Sequence, residues 1–229
     1  KEMALRLGYE DRKGLMAVER FMRHYFLIAR EVGDLTRSIC SILEERQKKS
    51  VPVIFKAITF LYAKNLDGFI VTSGRINIPG DSFFTEDPLN ILRLFYFSSE
   101  QNLLIHPNAV KALRESLGLV NAKLRASREA NDLFLKILLS KKNAESTLRA
   151  MNESGVLGRF ISDFGKIVGL MQFNMYHHFT ADEHLLRAIG ELNKLFYSSE
   201  SNVPDLVRDL IDQGLNKKIL TIALFFHDI

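Results

Sequence analysis

The chain has 229 residues, 47% of them hydrophobic and 25% charged, with a formal net charge of +4. That is the balance of an ordinary globular protein able to bury a sizeable core. The mild basic excess is interspersed with acids, and no run approaches the roughly 18 apolar residues of a membrane span, so neither a nucleic acid nor a membrane is expected as a partner.

The N-terminus, Lys1-Glu2-Met3, has no apolar stretch of the kind a signal peptide requires. A single cysteine, Cys40, excludes an intrachain disulfide framework and fits a reducing cytoplasm. It sits in an apolar helical pattern and reads as a small core residue. Met3 is not first, and the chain stops at His227-Asp228-Ile229 without a cap or tail. The expectation is a piece of a longer protein.

In chain order, Arg12 to about Gln47 carries helical periodicity, with Leu15, Val18, Met22, Phe26, Ala29, Leu35, Ile39 and Leu43 recurring mostly at spacings of three and four. Gly33 marks either a break or a close helix contact. Ile54 to Leu61 is rich in β-branched and aromatic residues and reads as a strand. Phe69 to Ile78 is a hairpin with its turn at Ser73-Gly74, ended by Pro79-Gly80. Pro88 suits a first helical position, and Leu89, Leu92, Phe95 and Tyr96 form one helix face. Pro107 opens a helix running through Leu113 and Leu117. Glu129 to Leu139 and Ala144 to Met151 are further amphipathic helices, and Asn152 to Gly158 is a turn.

After Phe160 the character shifts, and a domain boundary is placed near residue 155. Thr180-Ala-Asp-Glu183 fits a capping box, so a helix is expected from Ala181 past Phe196. A loop follows at Ser198 to Asn202. Pro204 starts a helix, Gly214 ends one, and Lys217 to about Phe226 is a final apolar helix. The fold class expected is mainly α: a helical bundle with a small β-hairpin over 1–155, then the first helices of an all-α domain over 156–229.

The chemistry-bearing residues gather in the second part. His227-Asp228 closes an apolar helix, and a neutral imidazole beside a carboxylate suits a divalent metal. A carboxylate after such a helix needs a compensating partner, which a metal supplies; the alternative is a helix cap. His184 lies one turn into the capped helix. HD phosphohydrolases take their metal ligands from a first His, a later His-Asp pair and a final Asp. His184, His227 and Asp228 fit the first three in order and spacing, and the fourth is expected beyond residue 229. The alternative for His184 is a hydrogen-bonded core histidine. His177 and His178, just before the capped helix, are candidates for outer-shell or acid–base roles, against the alternative of an aromatic-rich helix end.

The stretches GVLGRFISDFGKIVG (155–169) and MQFNMYHHFTADEHLLRAI (171–189) closely resemble the family of bifunctional PII uridylyltransferase/uridylyl-removing enzymes. So do LGYED (7–11), VERFMRHYF (18–26), EVGDLTR (31–37) and EDPLNILR (86–93), and the likeness is collinear over essentially the whole chain. The resemblance implies a nucleotidyltransferase domain, a helical domain, an HD domain and two glutamine-sensing ACT domains, in that order. This chain would hold the helical domain and the first half of the HD domain. It further implies transfer of UMP from UTP to a tyrosine of the PII signal-transduction protein, hydrolytic removal of that UMP, glutamine as effector, and a Mg2+ or Mn2+ ion held by His184, His227 and Asp228. With the fourth ligand and the transferase aspartates missing, the 229-residue piece alone is expected to be inactive in both directions.

EDPLNILR also resembles a stretch of tRNA nucleotidyltransferases in which a helix offers arginines to a nucleotide triphosphate. Arg93 is kept, but Asn90 and Tyr96 stand where two further arginines would be. Arg93 is therefore a candidate triphosphate contact, with structural ion pairing of Asp87 and Arg93 as the alternative. Arg20, Arg23, Arg30 and Arg37 are spaced to share a helix face, lining the transferase cleft or simply solvated. Two other readings stay open: a different HD-domain nucleotide phosphohydrolase with a helical extension, and a non-catalytic helical module that binds a partner.

Overall fold

The computed structural model describes residues 2–12, 14–47, 66–171, 179–197, 209 and 213–229. The strand expected at Ile54 to Leu61, the loop at Ser198 to Asn202, the helix start at Pro204, and both His177 and His178 lie outside the described residues. The chain is mainly helical with one small sheet, as expected. It divides into two compact units, one made of residues 1–36 with 162–229 and the other of residues 37–161.

The first unit opens with α1 (Glu2–Arg6), followed by a tight turn in which Arg12 and Leu15 exchange two backbone hydrogen bonds of 2.9 Å. That turn delays α2 (Ala17–Gln47), which begins five residues after the start that periodicity suggested. Asp11 Oδ1 accepts from the Ala17 amide at 2.6 Å and Glu19 Oε2 from the Met16 amide at 2.8 Å, so two carboxylates satisfy donors at the positive end of the helix. Ala4, Ala17 and Val18 are buried under Tyr9, Phe21 and Met22. Gly33 does not break α2, and among the described residues nothing lies within 4 Å of where its Cβ would be. Further along, Leu35, Ile39 and Leu43 are exposed. Cys40 is exposed as well, which corrects its reading as a core residue. The apolar repeat is real, but among the described residues burial follows it at the start of the helix and not at Leu35, Ile39 or Leu43.

In the second unit, β1 (Ile70–Thr72) pairs antiparallel with β2 (Arg75–Asn77), Ile70 facing Asn77. The turn residues Ser73 and Gly74 both have positive φ, 53° and 75°, matching the twist of a two-residue hairpin. A third strand, β3 (Leu104–Ile105), joins β2 in parallel. It is too short to show a pattern of its own in sequence.

Next come α3 (Phe83–Glu86) and α4 (Asn90–Gln101). α4 starts two residues after Pro88, because Asp87 Oδ1 accepts from the Leu89 amide at 3.0 Å and forms a turn ahead of the helix. α5 (Pro107–Glu115) has Pro107 in its first turn, and the buried His106 caps it by accepting from the Asn108 amide at 3.1 Å. It ends before Leu117, which lies in a separate 3-10 turn.

α6 (Ala122–Ala126), α7 (Arg128–Leu138), α8 (Ala144–Glu153) and α9 (Val156–Phe160) complete this bundle. α4 packs on α7 and α8, and α8 on α9. Ile91, Leu92 and Leu94 on α4, Ile137 and Leu138 on α7, Leu148 on α8 and Leu157 on α9 are all fully buried. The turn expected at Asn152 to Gly158 is shorter than that, confined around Gly155, so α8 and α9 nearly touch in sequence.

The chain then returns to the first unit through α10 (Ser162–Ile167), α11 (Ala181–Tyr197) and α12 (Lys217–Phe226). α11 begins at the residue that the Thr180 capping sequence predicted. α11 packs against both α10 and α12, with Phe164, Leu185, Leu186, Ile189 and Phe225 fully buried.

Candidate metal centre

α11 and α12 bring His184, His227 and Asp228 together. One ligand atom from each lies within 4.8 Å of the others, and all three residues are exposed. His184 is reached by burying Leu185, Leu186 and Ile189, which leaves position 184 on the open side of α11. His227 follows the last turn of α12, where Phe225 is buried and Phe226 is not.

The hydrogen bonds define what each group can offer. His227 Nδ1 is 2.7 Å from the carbonyl oxygen of Leu224. A carbonyl only accepts, so the proton sits on Nδ1 and a neutral ring turns its Nε2 lone pair outward. That Nε2 lies 3.2 Å from Asp228 Oδ2. His184 Nε2 lies 3.9 Å from the same oxygen, and the two imidazole rings meet edge-on with centroids 5.8 Å apart. Acceptor thus faces acceptor, an arrangement that calls for a cation between them, either a proton or a metal ion. Two imidazole nitrogens and one carboxylate oxygen form a donor set that suits a divalent first-row metal or magnesium. The residues present fit such an ion.

Arg93 has a different setting. Its Nη1 donates to Asp87 Oδ2 at 2.7 Å and Asn90 Oδ1 at 3.0 Å, and its Nη2 to Glu129 Oε1 at 2.8 Å. Burial works against its charge, but the Glu129 and Asp87 carboxylates outweigh that and hold its pKa above the ordinary value. Asn90 is buried, its amide nitrogen donating to the Phe83 carbonyl at 3.1 Å. Tyr96 lies under Lys136, whose ammonium is 5.4 Å from the ring centre. Both residues in the arginine positions of the resembled motif thus have structural contacts.

Of the four arginines singled out on α2, Arg20 donates to the Glu10 carbonyl at 2.8 Å and Arg23 to the Lys166 carbonyl at 2.9 Å, so both bind within the first unit. The side chain at 37 lies outside the description. Sequence reasoning passed over Asp182, a buried carboxylate on the first turn of α11. Its signal was present as the third residue of the capping box, where an acid is usually solvated.

Residues 69–160 match the family model described as the uridylyltransferase GlnD third domain. Over its full length the chain aligns with the bifunctional uridylyltransferase/uridylyl-removing enzyme of Bradyrhizobium sp. (strain ORS 278), 44% identical over 239 residues. The chain spans about a quarter of that relative's length, 25%. No solved structure matches the chain. The matched third domain coincides with the hairpin and bundle of the second unit, and the full-length alignment carries the likeness through α11 and α12. The chain belongs to the GlnD family of uridylyltransferase/uridylyl-removing enzymes.

Proposed function

We propose that this chain is part of a cytoplasmic enzyme that transfers UMP from UTP to a tyrosine of the PII signal-transduction protein and removes it by hydrolysis in response to glutamine. His184, His227 and Asp228 hold the divalent metal, Mg2+ or Mn2+, of the removal reaction. The observation that carries this reading is the convergence of three ligand atoms within 4.8 Å from two helices distant in sequence. The relative is named for uridylyl removal, a phosphodiester hydrolysis of the kind such a centre serves. No helix among the described residues is long and apolar enough to cross a membrane.

A bound divalent ion supplies charge neutralisation at phosphorus and a water acidic enough to attack it. The chain's own residues prepare that site. The Leu224 carbonyl fixes the His227 tautomer, so that Nε2 is ready to ligate without rearrangement. Asp228 contributes the negative charge that two neutral imidazoles lack. The exposure of all three residues leaves room for a substrate phosphate to approach. His177 or His178 protonates the departing tyrosine phenolate, or binds the phosphoryl oxygens; this assignment rests on their place in the sequence just ahead of α11. Arg93 is proposed as a scaffold residue, since its guanidinium donates to Asp87, Asn90 and Glu129.

The test uses the full-length protein and uridylylated PII. Replacing His227 and Asp228 together by alanine is expected to stop UMP release while UTP-dependent modification of PII continues. UMP release at the unchanged rate by that double variant would remove the assignment.

A further inference from the structure

We propose that Asp182 is a positioning residue of the metal centre, holding the first turn of α11 at the place where His184 can share an ion with His227 and Asp228. The proposal rests on the metal reading above. Asp182 is only 6% exposed, and its Oδ1 accepts a hydrogen bond from the Gly169 amide at 3.1 Å. One residue away, the Ala181 amide donates to the Leu170 carbonyl at 2.8 Å. Two hydrogen bonds of opposite sense therefore lock the start of α11 to residues 169–170.

The other end of the same segment is tied to the second ligand helix. Phe164, on α10, stacks on Phe225 with ring centroids 5.7 Å apart and planes parallel within 1°. Each anchor lies two residues before a ligand: Asp182 before His184, Phe225 before His227. The stretch from Phe164 to Leu170 thus acts as a strut between the helices that present the donors. Its conformation is itself fixed. Gly169 adopts φ +67°, and a Cβ there would meet Leu27 at 3.4 Å, while the Arg23 guanidinium grips the Lys166 carbonyl.

Direct packing of α11 on α12 holds the helices together, but it does not fix the advance of α11 along its axis. Side chains in an apolar interface can slide by fractions of an ångström, whereas a carboxylate–amide bond is directional and charge-assisted. His184 Nε2, 3.9 Å from the shared Asp228 oxygen, is the donor whose distance depends on that advance. A carboxylate at this position also favours the positive end of α11, so its burial is compensated from both sides.

The experiment is a Mn2+ titration of the full-length protein, with free Mn2+ followed by electron paramagnetic resonance and folding checked by circular dichroism. Asp182→Asn keeps an acceptor oxygen of the same reach. Asp182→Ser keeps a polar group too short for the Gly169 amide, and Asp182→Ala removes the acceptor. The Ala and Ser variants are expected to bind Mn2+ about tenfold more weakly, and the Asn variant to stay within about threefold of the parent. His184→Ala serves as the reference. If it loses the ion while Asp182→Ala and Asp182→Ser bind like the parent, the positioning role is overturned and the metal reading stands. If His184→Ala itself binds like the parent, the metal reading fails and this inference falls with it. Should Asp182→Ala not fold, the Asn and Ser variants decide: equal Mn2+ affinities in those two overturn the proposal.

Discussion

Among the described residues, the side chains around Arg93 and those around His227 form clusters built in opposite ways. Around Arg93 donors face acceptors: two carboxylates and an amide oxygen accept from the guanidinium, whose side chain is 21% exposed. Around His227 the acceptors face one another, with an outward imidazole nitrogen 3.2 Å from a carboxylate oxygen and a second imidazole near the same point. The first cluster has its counter-charges in place and joins α4 to α7. The second is complementary to a cation. Charge complementarity inside the chain thus separates a group with its counter-charges in place from groups proposed to hold a cation.

Four substitutions sharpen that contrast. The largest effect is expected from Phe225→Ala, which removes a fully buried ring stacked on Phe164. It should cost about 3–5 kcal/mol in urea unfolding and loosen the ligand pair at 227 and 228. A cost under about 1 kcal/mol would show that α12 is held by other contacts. Leu92→Ala, in the fully buried core of the other unit, should cost about 2–5 kcal/mol while a Mn2+ titration of the folded protein is unchanged.

Arg93→Ala follows, at about 1 kcal/mol, because its two ion pairs are partly solvated and each contributes little. Metal binding should again be unaffected. A rise in the KM for UTP out of proportion to that stability loss would move Arg93 from scaffold to nucleotide site. The smallest effect belongs to Glu129→Gln. That carboxylate is 62% exposed and its loss should cost about 0.5 kcal/mol or less by thermal melting. A larger value would mean that the Arg93 cluster acts as a cooperative network.

Much of this was legible in the residues. The Ser73-Gly74 turn, the start of α11 at Ala181 and the apolar run leading to His227-Asp228 are local signals with local causes, and each lies where the sequence put it. The late apolar positions of α2 and Cys40 show the opposite case. Periodicity reports which side of a helix is apolar, not whether anything covers it, and Leu35, Ile39 and Leu43 stay exposed. The strand at Leu104–Ile105 and the packing of residues 1–36 with 162–229 depend on partners far along the chain, for which a local pattern carries no sign. The same holds within the metal centre. The residue types at 184, 227 and 228 could be chosen from sequence, but the orienting carbonyl of Leu224 depends on how the last turn of α12 ends, and the buried Asp182 emerges only from the contact of α11 with residue 169.

The most direct test of the metal centre is a Mn2+ titration of the full-length protein beside its His227→Ala/Asp228→Ala double variant, both shown folded by circular dichroism. The account predicts that the double variant binds one Mn2+ fewer per chain than the parent. Equal binding by the two proteins would contradict it.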